Sequence, residues 1–223
     1  FITGLEEFGL INEVGEWVLR TACRQVQRWH AMDLAPMRIG VNMSAQQFED
    51  PMLIDKIRGA LEETRLPPEF LELELTESSL MSDPGQAGAL LREIREVGVR
   101  IAIDDFGTGY SSLTYLHDFP LNALKIDRNF VQSVEANDRG GPIADMIVGL
   151  GKNLGLDVIA EGVETQGQLE YLKEQGCDVA QGYLYAKPQT PEELTPWLAA
   201  HQRLSETNVR SLPRVKRDDE TGT

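Results

Sequence analysis

Apolar residues between Leu10 and Ala31 recur at helical spacing, with Ile11, Val14, Val18, Ala22 and Val26 on one side, and this pattern predicts an amphipathic helix. The rhythm then shortens. RIGVNMS at 38–44 is β-rich, and Pro51 opens a second helical stretch to about Thr64, which Pro67 and Pro68 end. In FLELELTES at 70–78, Leu71, Leu73 and Leu75 alternate with Glu72, Glu74 and Thr76, the period of two that predicts a half-buried strand. A helix from Pro84 to about Val97 leads through Gly98 into RIAIDDFGTGYSS at 100–112. The same beat continues with ALKID at 123–127, a helix near 142–154, DVIAEGVET at 157–165, a helix near 166–175 and DVAQGYLYAKP at 178–188. From Pro191 a last amphipathic helix is expected to reach about Leu204.

Strand and helix in strict alternation predict an α/β domain of parallel strands joined by helical crossovers. That rhythm fits an open doubly wound sheet as well as a closed barrel. After Leu204 the chain is polar and has no apolar period, so the organisation expected is one domain over 1–204 and a disordered tail over 205–223.

Composition narrows the class. Hydrophobic residues at 41% and charged residues at 26% are ordinary for a globular chain, and no run approaches the roughly 20 apolar residues of a membrane span. The chain does not begin with Met, and Phe1 to Gly9 lack the layout of a signal peptide, so the expectation is a segment of something longer. Cys23 and Cys177 stand far apart without CxxC spacing and read as small buried thiols in a reducing cytoplasm. A net charge of −15 disfavours a nucleic-acid polymer as partner. An anionic ligand near the acids would need a cation between them, and a divalent metal is the simplest.

The candidate chemistry lies in where polar residues fall. Asn42, Glu74, Asp104 with Asp105, Lys125, Glu161 and Gln181 each sit at or near the C-terminal end of a different predicted strand, the functional face of parallel α/β folds. Taken singly, Asn42 and Gln181 could cap or turn the chain, Glu74 could lie on the exposed face of its strand, and Asp104–Asp105 before Phe-Gly-Thr-Gly could be a turn. Lys125 is harder to dismiss, because an inward ammonium among apolar neighbours is costly without a carboxylate partner. Taken together, four acids at one end would raise each other's pKa unless a cation neutralised them. Oxygen donors without Cys or a His pair favour Mg²⁺, Mn²⁺ or Ca²⁺ over zinc.

VNMSAQQF (41–48), ELELTES (72–78), IDDFGTGYSSL (103–113), LKIDRNFV (124–131), IAEGVET (159–165) and QGYLYAKP (181–188) together resemble, in order and spacing, the EAL-domain cyclic di-GMP phosphodiesterases. The resemblance spans roughly residues 1–200 and implies a modified TIM-like (β/α)8 barrel that hydrolyses cyclic di-GMP to linear 5′-pGpG with Mg²⁺ or Mn²⁺. It implies Asn42, Glu74 and Asp104 as ligands of one ion, Asp104 shared with a second that Asp105 also binds, and Glu161 as a metal ligand or the base for the attacking water. Lys125 resembles the lysine that contacts that water. Gln181, Asp127 and Glu164 belong to the implied pocket. Phe106, Gly107, Thr108, Gly109, Tyr110 and Ser111 resemble a functional loop, with Glu77 supporting it.

The Glu-Ala-Leu signature itself, with its substrate-contacting Arg, lies upstream of the first residue here, so six of eight strands are expected. That leaves a non-catalytic cyclic di-GMP receptor as the alternative. The resemblance further implies a homodimer through the 106–112 region and sensory or diguanylate-cyclase-like domains upstream. It places the domain in the cytoplasm, either free or as the cytoplasmic part of a membrane-anchored parent.

Overall fold

A computed structural model describes residues 2–34, 36–108, 113–134 and 140–208. Helices α1 (Ile2–Glu7) and α2 (Ile11–Ala31) precede β1 (Ile39–Met43), and α3 (Ala45–Phe48) and α4 (Leu53–Thr64) lead to β2 (Leu71–Thr76). Then α5 (Glu77–Met81) and α6 (Pro84–Val97) connect to β3 (Arg100–Phe106), and α7 (Leu113–Asp118) to β4 (Ala123–Ile126). The path ends with α8 (Arg128–Gln132), α9 (Gly140–Leu154), β5 (Asp157–Ala160), α10 (Gln166–Gln175), β6 (Val179–Ala180) and α11 (Pro191–Asn208).

Local chemistry sets these limits. Asp83 caps α6 by accepting from the Gln86 N–H at 3.1 Å, Pro84 fills the first helical position, and Gly98 at φ 95° takes the left-handed turn that ends it. Thr165 and Gln168 form a reciprocal capping box on α10, and Ser44 and Gln47 do the same on α3. Asp50 accepts from the Met52 N–H at 2.9 Å, so Pro51 lies in a turn and α4 begins only at Leu53. The last helix runs four residues past Leu204, and 209–223 of the expected tail lie outside the described residues.

Among the described residues the six strands form one parallel sheet in the order β1-β2-β3-β4-β5-β6. A doubly wound sheet would reverse its strand order at a switch point; this one never does, so the sheet is a partial barrel. Its curl is measurable. Arg38, just ahead of β1, places Nη1 3.7 Å from Asp157 Oδ2 on β5, where a flat sheet would separate the two strands by about 19 Å.

The outer face carries Leu71, Leu73, Leu75, Ile101, Ile103, Leu124, Ile126 and Val158, all fully buried in the core. The inner face carries Glu72, Glu74, Asp104 and Lys125, and these too are largely withdrawn from water. The alternation in FLELELTES therefore separates two buried faces, one packed by helices and one lining the lumen, rather than a core face from a solvent face. β6 is shorter than the 178–188 run suggested. After Ala180 the chain turns at Gly182, where a Cβ would meet the Val163 carbonyl oxygen at 2.2 Å, and the Tyr185 N–H donates back to the Gly182 carbonyl at 3.1 Å.

Candidate active site

Strand register assembles the site. Asn42 pairs with Glu74, Thr76 with Asp104, and Lys125 with Ile159, so Asn42, Glu74, Asp104, Lys125 and, two residues beyond Ile159, Glu161 share the inner face at the carboxyl end of the sheet. One carboxylate oxygen from each of Glu74, Asp104 and Glu161 lies within 4.8 Å of the other two. The Lys125 ammonium sits among them, 2.5 Å from Glu74 Oε2, 2.6 Å from Glu161 Oε1 and 3.1 Å from Asp104 Oδ1.

Burial is what gives this cluster its electrostatic character. It drives the Glu74 and Glu161 carboxyls above the usual glutamate range; Lys125 opposes the shift and Asp104 adds to it. The same burial alone would depress the Lys125 amine, but Glu74, Glu161 and Asp104 outweigh it and hold the amine well above its ordinary value. Lys125 is therefore an ammonium, and three carboxylates against one ammonium leave two negative charges to be met. A divalent cation with hard oxygen ligands matches both that surplus and the donor set. Glu74, Asp104 and Glu161 thus fit a metal, with Asn42 beside Glu74 as a neutral oxygen donor.

The neighbouring Asp105 stands at φ 52°, its N–H donating to Asp104 Oδ1 at 3.0 Å. Desolvation, then the charge of Asp104 and the charge and hydrogen bond of Asp127, push its carboxyl up. Asp127 is buried and also caps α8 by accepting from the Asn129 N–H at 2.9 Å. Gln181 follows β6 directly, with its N–H on the Ala160 carbonyl at 2.8 Å, and its side chain is exposed. Glu164 is exposed too, and its described partners are Arg128 at 2.7 Å and Gln132 at 3.2 Å rather than the trio.

Glu77, first residue of α5, is 2% exposed and accepts the Gly107 N–H at 3.3 Å through Oε2; its Oε1 has no partner among the described residues. Phe106 is buried, and Thr108 Oγ1 donates to the Asp105 carbonyl at 2.8 Å. Gly109, Tyr110 and Ser111 lie outside the described residues.

Two features escaped the sequence reading. Gly40 leaves room for Glu74, since a Cβ there would come within 2.0 Å of Glu74 Oε1; a glycine inside a β-rich run was the available signal. Below the trio, Arg100 reaches Glu72 at 3.0 Å and Asp157 at 2.7 Å, and Arg38 approaches the same two acids at 3.9 and 3.7 Å. Nothing local in the sequence pairs these four residues.

The model of the EAL domain matches residues 1–188. The chain belongs to the EAL domain family. Within it, this EAL domain is 43% identical over 212 residues to the Cyclic di-GMP phosphodiesterase NbdA of Pseudomonas aeruginosa, covering 95% of this chain and 27% of that one. It is 44% identical over 194 residues to the bifunctional diguanylate cyclase/cyclic di-GMP phosphodiesterase MucR of the same organism, covering 87% of this chain and 28% of that one. The chain thus spans about a quarter of the length of these curated relatives. Among solved structures, the c-di-GMP complex of the PaMucR phosphodiesterase superposes with a TM-score of 0.85 at 44% identity, over 87% of this chain and 78% of that one. The EAL domain of Mycobacterium smegmatis DcpA gives 0.79 at 39% identity, over 84% and 85%. The six parallel strands are accordingly part of a TIM-like barrel. No described helix of the EAL domain is long and apolar enough to cross a membrane.

Proposed function

We propose that this domain hydrolyses cyclic di-GMP to linear 5′-pGpG, using Mg²⁺ or Mn²⁺ as a pair of ions. The observation that carries the reading is the trio Glu74, Asp104 and Glu161, converging from three strands with a surplus of two negative charges around Lys125. It is supported by two relatives above 40% identity named as cyclic di-GMP phosphodiesterases and by a solved relative that holds c-di-GMP.

Asn42, Glu74 and Asp104 would hold one ion, and Asp104 with Asp105 and Glu161 the other. Such a pair supplies a nucleophilic water near neutral pH and stabilises charge on the phosphodiester oxygens. In the reaction a water oxygen bonds to phosphorus, the bond from phosphorus to the ribose 3′ oxygen breaks, and that oxygen takes a proton. Glu161, at the edge of the second ion's ligands, would receive the proton that the water gives up. Lys125 holds its charge throughout and steadies the water and the phosphate oxygens facing it. Gln181, Asp127 and Glu164 are assigned to the ligand pocket, and Glu77 fixes the segment that begins at Phe106 by holding Gly107.

The reading carries a cytoplasmic location, sensory or diguanylate-cyclase-like domains elsewhere in the parent protein, and a homodimer through the 106–112 region, which light scattering across a concentration series would test. The central test is turnover of cyclic di-GMP with Mg²⁺ or Mn²⁺ by the parent protein and by its Asp104→Ala variant. Conversion to pGpG that the substitution abolishes is expected. Tight binding without conversion would instead make the domain a receptor.

A further inference from the structure

Lys125 commits its charge to the trio. Its ammonium donates a hydrogen bond to Glu74 Oε2 at 2.5 Å and makes ion pairs with Glu161 Oε1 at 2.6 Å and Asp104 Oδ1 at 3.1 Å, so all three carboxylates, from three strand ends, crowd one cation. The amine is about 3% exposed, between the fully buried Leu124 and Ile126, so water offers it little alternative. The oxygens it bridges come from the same three groups whose spacing fits a divalent ion. Cation and ammonium therefore want the same partners.

We infer that Lys125 is an internal counter-cation of this site: it holds the trio together while metal is absent, competes with divalent metal for its oxygens, and releases contacts as metal binds. The inference rests on the trio being a metal site. Two opposed effects follow. Without Lys125, the trio faces its own repulsion, so the metal-free fold is weaker. Without Lys125, the trio also carries three uncompensated charges instead of two and has no resident donor to displace, so metal binds more tightly. A lysine that merely packed or propped the acids in place would lower both quantities together. The four-carbon stem lets the ammonium move to a phosphate oxygen once released.

The experiment uses the whole chain stripped of metal with EDTA, unmutated and as Lys125→Met, titrated with Mn²⁺ by calorimetry and melted without metal. Mn²⁺ affinity of the variant at least about tenfold higher, with a metal-free Tm several degrees lower, is the expected pair of results. Affinity that is unchanged or weaker overturns the inference. Should the variant not fold, the unmutated protein decides by ¹⁵N NMR of its lysine amines: a protected ammonium resonance should shift or vanish as Mg²⁺ is added. A resonance indifferent to saturating Mg²⁺ overturns the inference as well. Wild-type protein that binds Mn²⁺ and cleaves cyclic di-GMP, beside a variant that binds no more tightly, leaves the phosphodiesterase reading standing. Absence of Mn²⁺ binding by both proteins would remove the metal reading and this inference together.

Discussion

Gly40 and Glu74 share one space: the carboxylate of Glu74 occupies the position a side chain at residue 40 would take, 2.0 Å from where its Cβ would sit. Gly40→Ala must push that carboxylate off its place. Because displacements near 1 Å cost about a hundredfold in rate, kcat for cyclic di-GMP should fall by roughly that factor while the far-ultraviolet circular dichroism stays unchanged. Wild-type kcat in the variant would show that Glu74 has slack that the present geometry denies it.

Glu77 offers a cleaner structural probe. Glu77→Ala removes the acceptor of the Gly107 N–H, and because Gly107 is exposed and water can take over, the loss should be about 0.5–1.5 kcal/mol. Glu77→Gln keeps an acceptor of the same reach and should retain most of that stability. Denaturant unfolding of the two variants side by side measures the difference, and equal loss would mean that the charge, not the hydrogen bond, matters.

Arg100 ties Glu72 to Asp157 beneath the site, and Glu72 is 6% exposed. Arg100→Met should therefore destabilise the fold by roughly 2–3 kcal/mol, because one acid is left buried without its main partner. For a chain of this size that corresponds to a Tm lower by about 5–10 °C. Mn²⁺ affinity, set at the other end of the lumen, should change little.

Stability should also depend on pH in a way that metal removes. The Glu74, Glu161 and Asp105 carboxyls all titrate above their ordinary values, chiefly because they are desolvated. A raised folded-state pKa means the folded form binds protons more tightly than the unfolded one, so these groups favour folding at acid pH and lose that contribution as pH rises through their raised values. The metal-free Tm should accordingly decline from mildly acid toward neutral pH, and saturating Mn²⁺ should flatten that slope over the same range. A metal-free Tm that climbs across this interval would contradict the assignment.

Much of this was legible in the chain. The alternation of strands and helices, the capping residues at Asp83 and Thr165 and the glycine at 98 are local signals, and they located most elements to within a few residues. The site was legible for a different reason: in a parallel sheet, residues at successive strand ends share one edge, so Glu74, Asp104, Lys125 and Glu161 could be grouped before any distance was known. What stayed hidden depends on curvature itself. The pattern of Glu72 and Glu74 between leucines is the same whether the acids face water or a lumen, and only closure of the sheet brings Arg38 against Asp157. The end of β6 was missed because the turn at Gly182 is imposed by contact with Val163, a residue from another strand's loop.

The two layers of charge inside the sheet differ in sum. Arg38 and Arg100 cancel Glu72 and Asp157, whereas Glu74, Asp104 and Glu161 exceed Lys125. The negative potential of the interior is thus concentrated at one mouth. If the domain acts on a dianionic nucleotide as proposed, that mouth should repel it until a divalent cation is bound, so its association rate should rise with divalent ion before any bond is cleaved.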